Sequence, residues 1–160
     1  MLRNNKGFTL IELIAVVTIM AIIALIATPN IISMIDNGNK ETYISDAKDF
    51  ISKASYMYNL DKNKDDSEKV FKSTSDGNKI HLKDIEKLDE MDDPYGNKYD
   101  YENSYIVIRD EVVDGILQRR AKIYLISCDK DETTKCHRIG TESEPALESE
   151  LNNDSVKTVE

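Results

Sequence analysis

From Phe8 to Ile35 the chain holds a single ionisable side chain, Glu12, and that contrast limits what the N-terminus can become. The stretch Phe8 to Thr28 is 21 residues long. At about 1.5 Å rise per residue a helix of this length reaches roughly 31 Å, the thickness of a bilayer core. Arg3 and Lys6 precede it, so the short end is expected to stay cytoplasmic and the bulk of the chain to be exported. The whole sequence has 160 residues, enough for one domain of ordinary size beside this appendage.

Two simpler readings compete. A secretory signal would be removed after its apolar region. This run is longer than such a region needs, and Ala24-Leu25-Ile26-Ala27 has no small-x-small cleavage pattern. A plain membrane anchor fits better, but Glu12 counts against it. A carboxylate inside a lipid-facing helix costs about 2.5–3.5 kcal/mol on insertion scales. Cleavage between Gly7 and Phe8 would create a positive α-amino group about one helical turn before Glu12. Between staggered copies, Glu12 of one chain could then meet the Phe8 amine of the next, and any other stagger would leave a buried charge unpaired. The acid reads as an assembly key.

The string Lys6-Gly-Phe-Thr-Leu-Ile-Glu-Leu13 and the apolar run up to Pro29 resemble the class III signal of type IV pilins and pseudopilins. The resemblance implies cleavage after Gly7 by a membrane-embedded prepilin peptidase and N-methylation of Phe8 by the same enzyme. It gives Glu12 the family's assembly role. Subunits would pass from the bilayer, through a membrane platform driven by an ATPase, into a helical filament of copies of the chain. The fold implied is α+β: a long N-terminal helix, transmembrane in its first half and amphipathic in its second, packed on a small antiparallel sheet. Pro29 removes a backbone bond and should kink or loosen the helix. Asp36-Asn37-Gly38-Asn39 is a second weak stretch, and in pilin-like filaments the helix between such points is often melted.

The parts expected are a leader, 1–7; a hydrophobic helix, 8–35; its amphipathic continuation, 36–60; a globular head, 61–140; and a polar tail, 141–160. Tyr43, Ala47, Phe50, Ile51, Ala54, Met57 and Tyr58 follow helical spacing and define one apolar face. Leu82, Ile85, Leu88 and Met91 recur every three residues and suggest a short helix. Asp93-Pro-Tyr-Gly96 supplies turn chemistry, after which Tyr99 and Tyr101 should start a strand. The segment also resembles the one that opens the sheet in many pseudopilins and some pilins. Asp114-Gly115 should turn a hairpin between strands 105–113 and 116–127, with 121–127 central in the sheet. Cys128 and Cys136 form a disulfide if this part lies outside the cell and are two free thiols if it does not. From Pro145 the tail is either a short helix or frayed.

Net charge is −9, and omitting Arg3 and Lys6 leaves 19 basic against 30 acidic side chains, which disfavours nucleic-acid binding. Asp61, Asn63 and Asp65 have the alternation of a calcium loop, but Asp66 stands where Gly is needed and Lys72 where the closing Glu belongs. A solvated loop is the better reading. Zinc lacks a ligand set, with His137 the only soft ligand near the cysteines. His81 and His137 are isolated, no Gly-rich phosphate loop exists, and Asp65-Asp66 and Asp92-Asp93 read as solvated pairs. No cofactor or enzyme activity is expected. The leading function is a type IV pilin at the cell surface. The alternatives are a pseudopilin of a secretion or DNA-uptake machine, or a minor pilin whose head binds a ligand.

Overall fold

The computed structural model describes residues 7–86, 88, 90–129 and 136–159. The leader up to Lys6 and the interior of the cysteine loop, residues 130–135, lie outside the described residues. Among the described residues, helix α1, Leu10–Asp61, is followed by eight strands. This is the α+β, pilin-like class expected: one long N-terminal helix and a small antiparallel sheet.

The helix is uninterrupted through Pro29 and through Asp36-Asn37-Gly38-Asn39. Two compact units divide the chain at Gly38 and Asn39. In the second unit, α1 carries Tyr43, Ala47, Phe50, Ile51 and Ala54, all buried. Their three- and four-residue spacing puts them on one face, and they form a single apolar cluster with residues of the sheet.

The strands are β1 Lys72–Thr74, β2 Gly77–His81, β3 Lys98–Tyr99, β4 Tyr105–Val113, β5 Ile116–Cys128, β6 Cys136–Ile139, β7 Ala146–Leu147 and β8 Val156–Val159. Their order is β1-β2-β4-β5-β6-β8, with β3 and β7 also pairing with β5, and every pairing is antiparallel. Strand β5 is the hub because its middle is apolar on both faces. Ala121, Ile123 and Leu125 join the helix-side cluster, while Tyr124 packs with Tyr105 and Val107 on the other side. Positive φ at Asp114 (52°) and Gly115 (78°) forms the tight turn joining β4 to β5, as the mirror-image hairpin turns require.

Three expectations change. Among the described residues, the three-residue recurrence from Leu82 to Met91 forms one 3-10 turn, Leu82–Asp84. Leu82 and Ile85 are buried, so there the spacing records contact with the core. Strand β3 stops at Tyr99, because Asp100 caps a turn by accepting from the N–H groups of Glu102 (3.1 Å) and Asn103 (3.0 Å). The tail is neither frayed nor one helix from Pro145, but two strands around the 3-10 turns Glu148–Glu150 and Asn153–Ser155. Strand β7 pairs with β5 and β8 with β6, and Leu151 and Val156 enter the core.

Candidate processing and assembly site

The segment Gly7 to Glu12 is built around the helix start. Thr9 is the last residue before α1 and Glu12 lies three positions on. The Glu12 Oε2 accepts from the Thr9 N–H and from the Thr9 hydroxyl, both at 2.8 Å. The Thr9 Oγ1 accepts from the Glu12 N–H at 3.3 Å. Together these form a capping box, which satisfies donors that the first helical turn leaves orphaned. The carboxylate also lies at the positive end of the helix dipole. Thr-Leu-Ile-Glu is the pattern of such a box, so this second role of Glu12 was readable beside its charge. Neither bond uses Oε1.

Gly7 and Phe8 precede the helix in irregular backbone. Phe8 is 93% exposed, and a Cβ placed on Gly7 would meet nothing within 4 Å. A peptidase needs its scissile bond outside regular structure, and the bond between these residues meets that condition. Among the described residues, nothing would obstruct a larger side chain at residue 7.

Beyond the cap, from Leu10 to Ile35, the large apolar residues of α1 are exposed. Leu10, Ile19 and Leu25 are among many left more than half exposed. The polar side chains in this stretch turn back on their own helix. The Thr18 hydroxyl donates to the Ile14 carbonyl at 2.8 Å, Thr28 to Ala24 at 2.6 Å, Asn30 Nδ2 to Ile26 at 3.3 Å and Ser33 to Pro29 at 3.2 Å. Such i−4 bonding hides polarity without a partner chain. By length and composition the helix can cross a membrane.

The head places its polar residues differently. Asp93, read above as solvated, is 4% exposed. Its Oδ1 accepts from the N–H groups of Tyr95 (2.9 Å) and Asn97 (2.7 Å), and its Oδ2 from the Ser127 hydroxyl at 2.6 Å. Tyr43 of α1 meets Ser127 Oγ at 3.2 Å and donates to the His137 carbonyl at 3.0 Å. The His137 ring stacks on Tyr95, with centroids 3.7 Å apart. Ser127, Asp93 and His137 thus meet, but the serine is fully buried and donates directly to the carboxylate. A nucleophile needs the imidazole in that place. Burial, the Asp93 charge and neighbouring acids push the Tyr43 hydroxyl far above its ordinary range, although its bond to Ser127 acts the other way. It stays protonated as a donor.

Asp61, weighed above as a calcium ligand, accepts from the N–H groups of Val70 and Phe71, both at 3.0 Å, and closes the loop after α1. Cys128 and Cys136 are joined by a disulfide between paired positions of β5 and β6. His81 Nδ1 lies 2.9 Å from the Glu102 carbonyl.

Residues 2–28 match the prokaryotic N-terminal methylation motif. This motif is the class III signal of type IV pilins. It covers the leader and the first part of α1, including Gly7, Phe8 and Glu12. It implies processing by a prepilin peptidase and assembly into filaments, and with the apolar helix it fits membrane anchoring before assembly. It points to a structural subunit. No curated protein matches the chain, and no solved structure does.

Proposed function

We infer that this protein is a structural pilin of a type IV pilus, held in the membrane by α1 until it is cut after Gly7 and methylated at Phe8. One observation carries the reading: the methylation motif ends on a capped helix whose aliphatic side chains face outward. Lipid covers that surface before assembly, and neighbouring helices cover it in the filament. Glu12 has two tasks in this scheme. Its Oε2 caps its own helix through Thr9, and Oε1 receives the Phe8 amine of an adjacent copy. Pro29 lacks a backbone N–H and is the point where α1 loosens when the helices pack. The head, with its disulfide, faces outward.

Two substitutions test this in order. With Gly7→Leu, the precursor should accumulate uncut in the membrane fraction, visible as a larger band, with its fold intact because residue 7 has open space. Normally processed chain from this variant refutes the cleavage site. With Glu12→Ala, the chain should be cut normally but yield at least tenfold less filament in the sheared surface fraction. Undiminished yield removes the pairing with Phe8. The Asp93-Pro-Tyr-Gly96 turn favours a second reading, a pseudopilin, since it resembles the segment opening the sheet in that branch. Processed chain that stays with the envelope, while secretion or DNA uptake fails in its absence, would select it.

A further inference from the structure

The hairpin of β4 and β5 outruns the rest of the sheet. Strand β2 pairs with β4 only from Tyr105 to Ile108. On the other side, β7 reaches only Lys122 and Ile123, and β6 only Leu125 to Cys128. Among the described residues, 109–120 therefore form a two-stranded arm with no third strand paired on either edge. Such ribbons are marginal alone in water, and exposed edges usually need protection.

The base of the arm is secured. Arg119 donates to Asp110 through Nε at 2.8 Å and lies 5.0 Å from the Tyr58 ring. Arg109 donates to the Ser75 carbonyl at 3.1 Å, and Arg120 pairs with Glu111. The tip has no such support. Register sets Val112 opposite Leu117 and Val113 opposite Ile116, and strand alternation sends the two pairs to opposite faces. Val112 is 69% exposed, Ile116 64% and Leu117 65%. Nothing in the hairpin turn requires aliphatic residues there, since Asp114-Gly115 provides the backbone geometry.

We propose that this aliphatic arm tip docks on the head of a second copy of this chain within the assembled filament, an inference that rests on the pilin reading. Charge and area select the occupant. Residues 39–160 carry 19 basic and 28 acidic side chains, so two heads repel over most of their surface. The arm, 109–120, has three of each sign, and two of its arginines, Arg119 and Arg120, pair with its own Asp110 and Glu111. It is the neutral, apolar approach on an acidic body. Val112 and Leu117, which share one face of the arm, present roughly 230 Å², a modest apolar patch with Ile116 exposed on the other face. Matched by an equal area, that face would bury about 460 Å² in total, well below the ~1,200 Å² of a stable free complex. The contact holds only between copies already brought together, which is what helices packed through residues 10–35 would do. High effective concentration then makes a weak patch sufficient.

The test places a photo-reactive benzophenone amino acid at Leu117 in the full-length chain, in cells that assemble it, with exposed Glu68 as the control position. Irradiated sheared filaments should give a dimer-sized product from residue 117 at least tenfold above that from residue 68, with the attached peptide mapping to residues 39–160 of another copy. The product should vanish in the Glu12→Ala background. Filaments that form but give no such product overturn the docking and leave the pilin reading standing. A product with lipid, or with an unrelated protein, also overturns it. If electron microscopy and immunoblotting find no filament containing this chain, the pilin reading falls and takes the docking with it. As a second measure, Val112→Asp with Leu117→Asp should lower filament yield at least fivefold while the circular dichroism spectrum and Tm of the chain stay unchanged. Unaltered yield overturns the proposal.

Discussion

Helix α1 is one element with two environments. Before Gly38 its apolar residues are exposed around the helix, and its polar side chains bond backward to their own backbone. After Asn39 it is amphipathic, burying Tyr43, Ala47, Phe50, Ile51 and Ala54 and leaving Glu41, Lys48 and Lys53 in water. The second half obtains its burial from its own head. Among the described residues of the first half, the apolar side chains from Phe8 to Ile35 are all exposed. One region meets its burial in its own head, and the region left exposed is the one that carries the methylation motif.

Substitutions can break this contrast. The largest effect is expected from Phe50→Ala, which should remove about 3–5 kcal/mol of head stability, measured by denaturant titration in detergent. Ile19→Ala deletes a comparable side chain from the exposed half and should leave the same transition within about 0.5 kcal/mol. Equal losses at both positions would mean that the first half is also part of a folded core.

Next comes Gly140, at the end of β6, with φ of +71°. A Cβ there would stand 2.8 Å from the Ala146 backbone nitrogen and 3.1 Å from the Ile123 carbonyl oxygen. Gly140→Ala should cost about 1–3 kcal/mol, since strained backbone and a close approach coincide. A smaller loss would show that the tail is not held against β5 as described.

The smallest effect separates two acids on the head half of α1. Burial opposes ionisation of Asp61, but the Phe71 and Val70 N–H groups and Lys64 outweigh it and hold the carboxyl below its ordinary value. Its contribution is present above the unfolded pKa and is lost as pH falls through the folded one. Burial raises Asp46 despite the hydrogen bond from Tyr99, so protonating it as pH falls relieves a cost. Asp61→Asn should therefore flatten the loss of head stability below about pH 4. Asp46→Asn should be neutral or slightly stabilising at pH 7. Opposite signs in the two stability–pH curves would reverse these environments.

Much of the fold was legible before any coordinates. The helical spacing from Tyr43 to Tyr58, the hairpin turn at Asp114-Gly115 and the central place of residues 121–127 followed from periodicity and turn chemistry. Misreadings occurred where a residue's role depends on distant partners. Asp93 looked solvated because its neighbours in sequence are polar, yet Ser127 and α1 enclose it. The three-residue rhythm from Leu82 to Met91 imitated a helix. The tail has too few apolar residues to announce a strand, but Val156 and Leu151 meet a core that other segments build.

The sequence alone determined the division of labour along α1, because a helix's apolar pattern is fixed by residue order and needs no partner to be read. It also determined the capped start at Thr9 and Glu12, whose bonds span three residues. Only the tertiary structure decided which acids are buried, that the C-terminal strands complete the sheet, and that residues 109–120 stand clear of it. Those outcomes depend on pairings between residues tens of positions apart, where the chain's local preferences are silent and packing chooses.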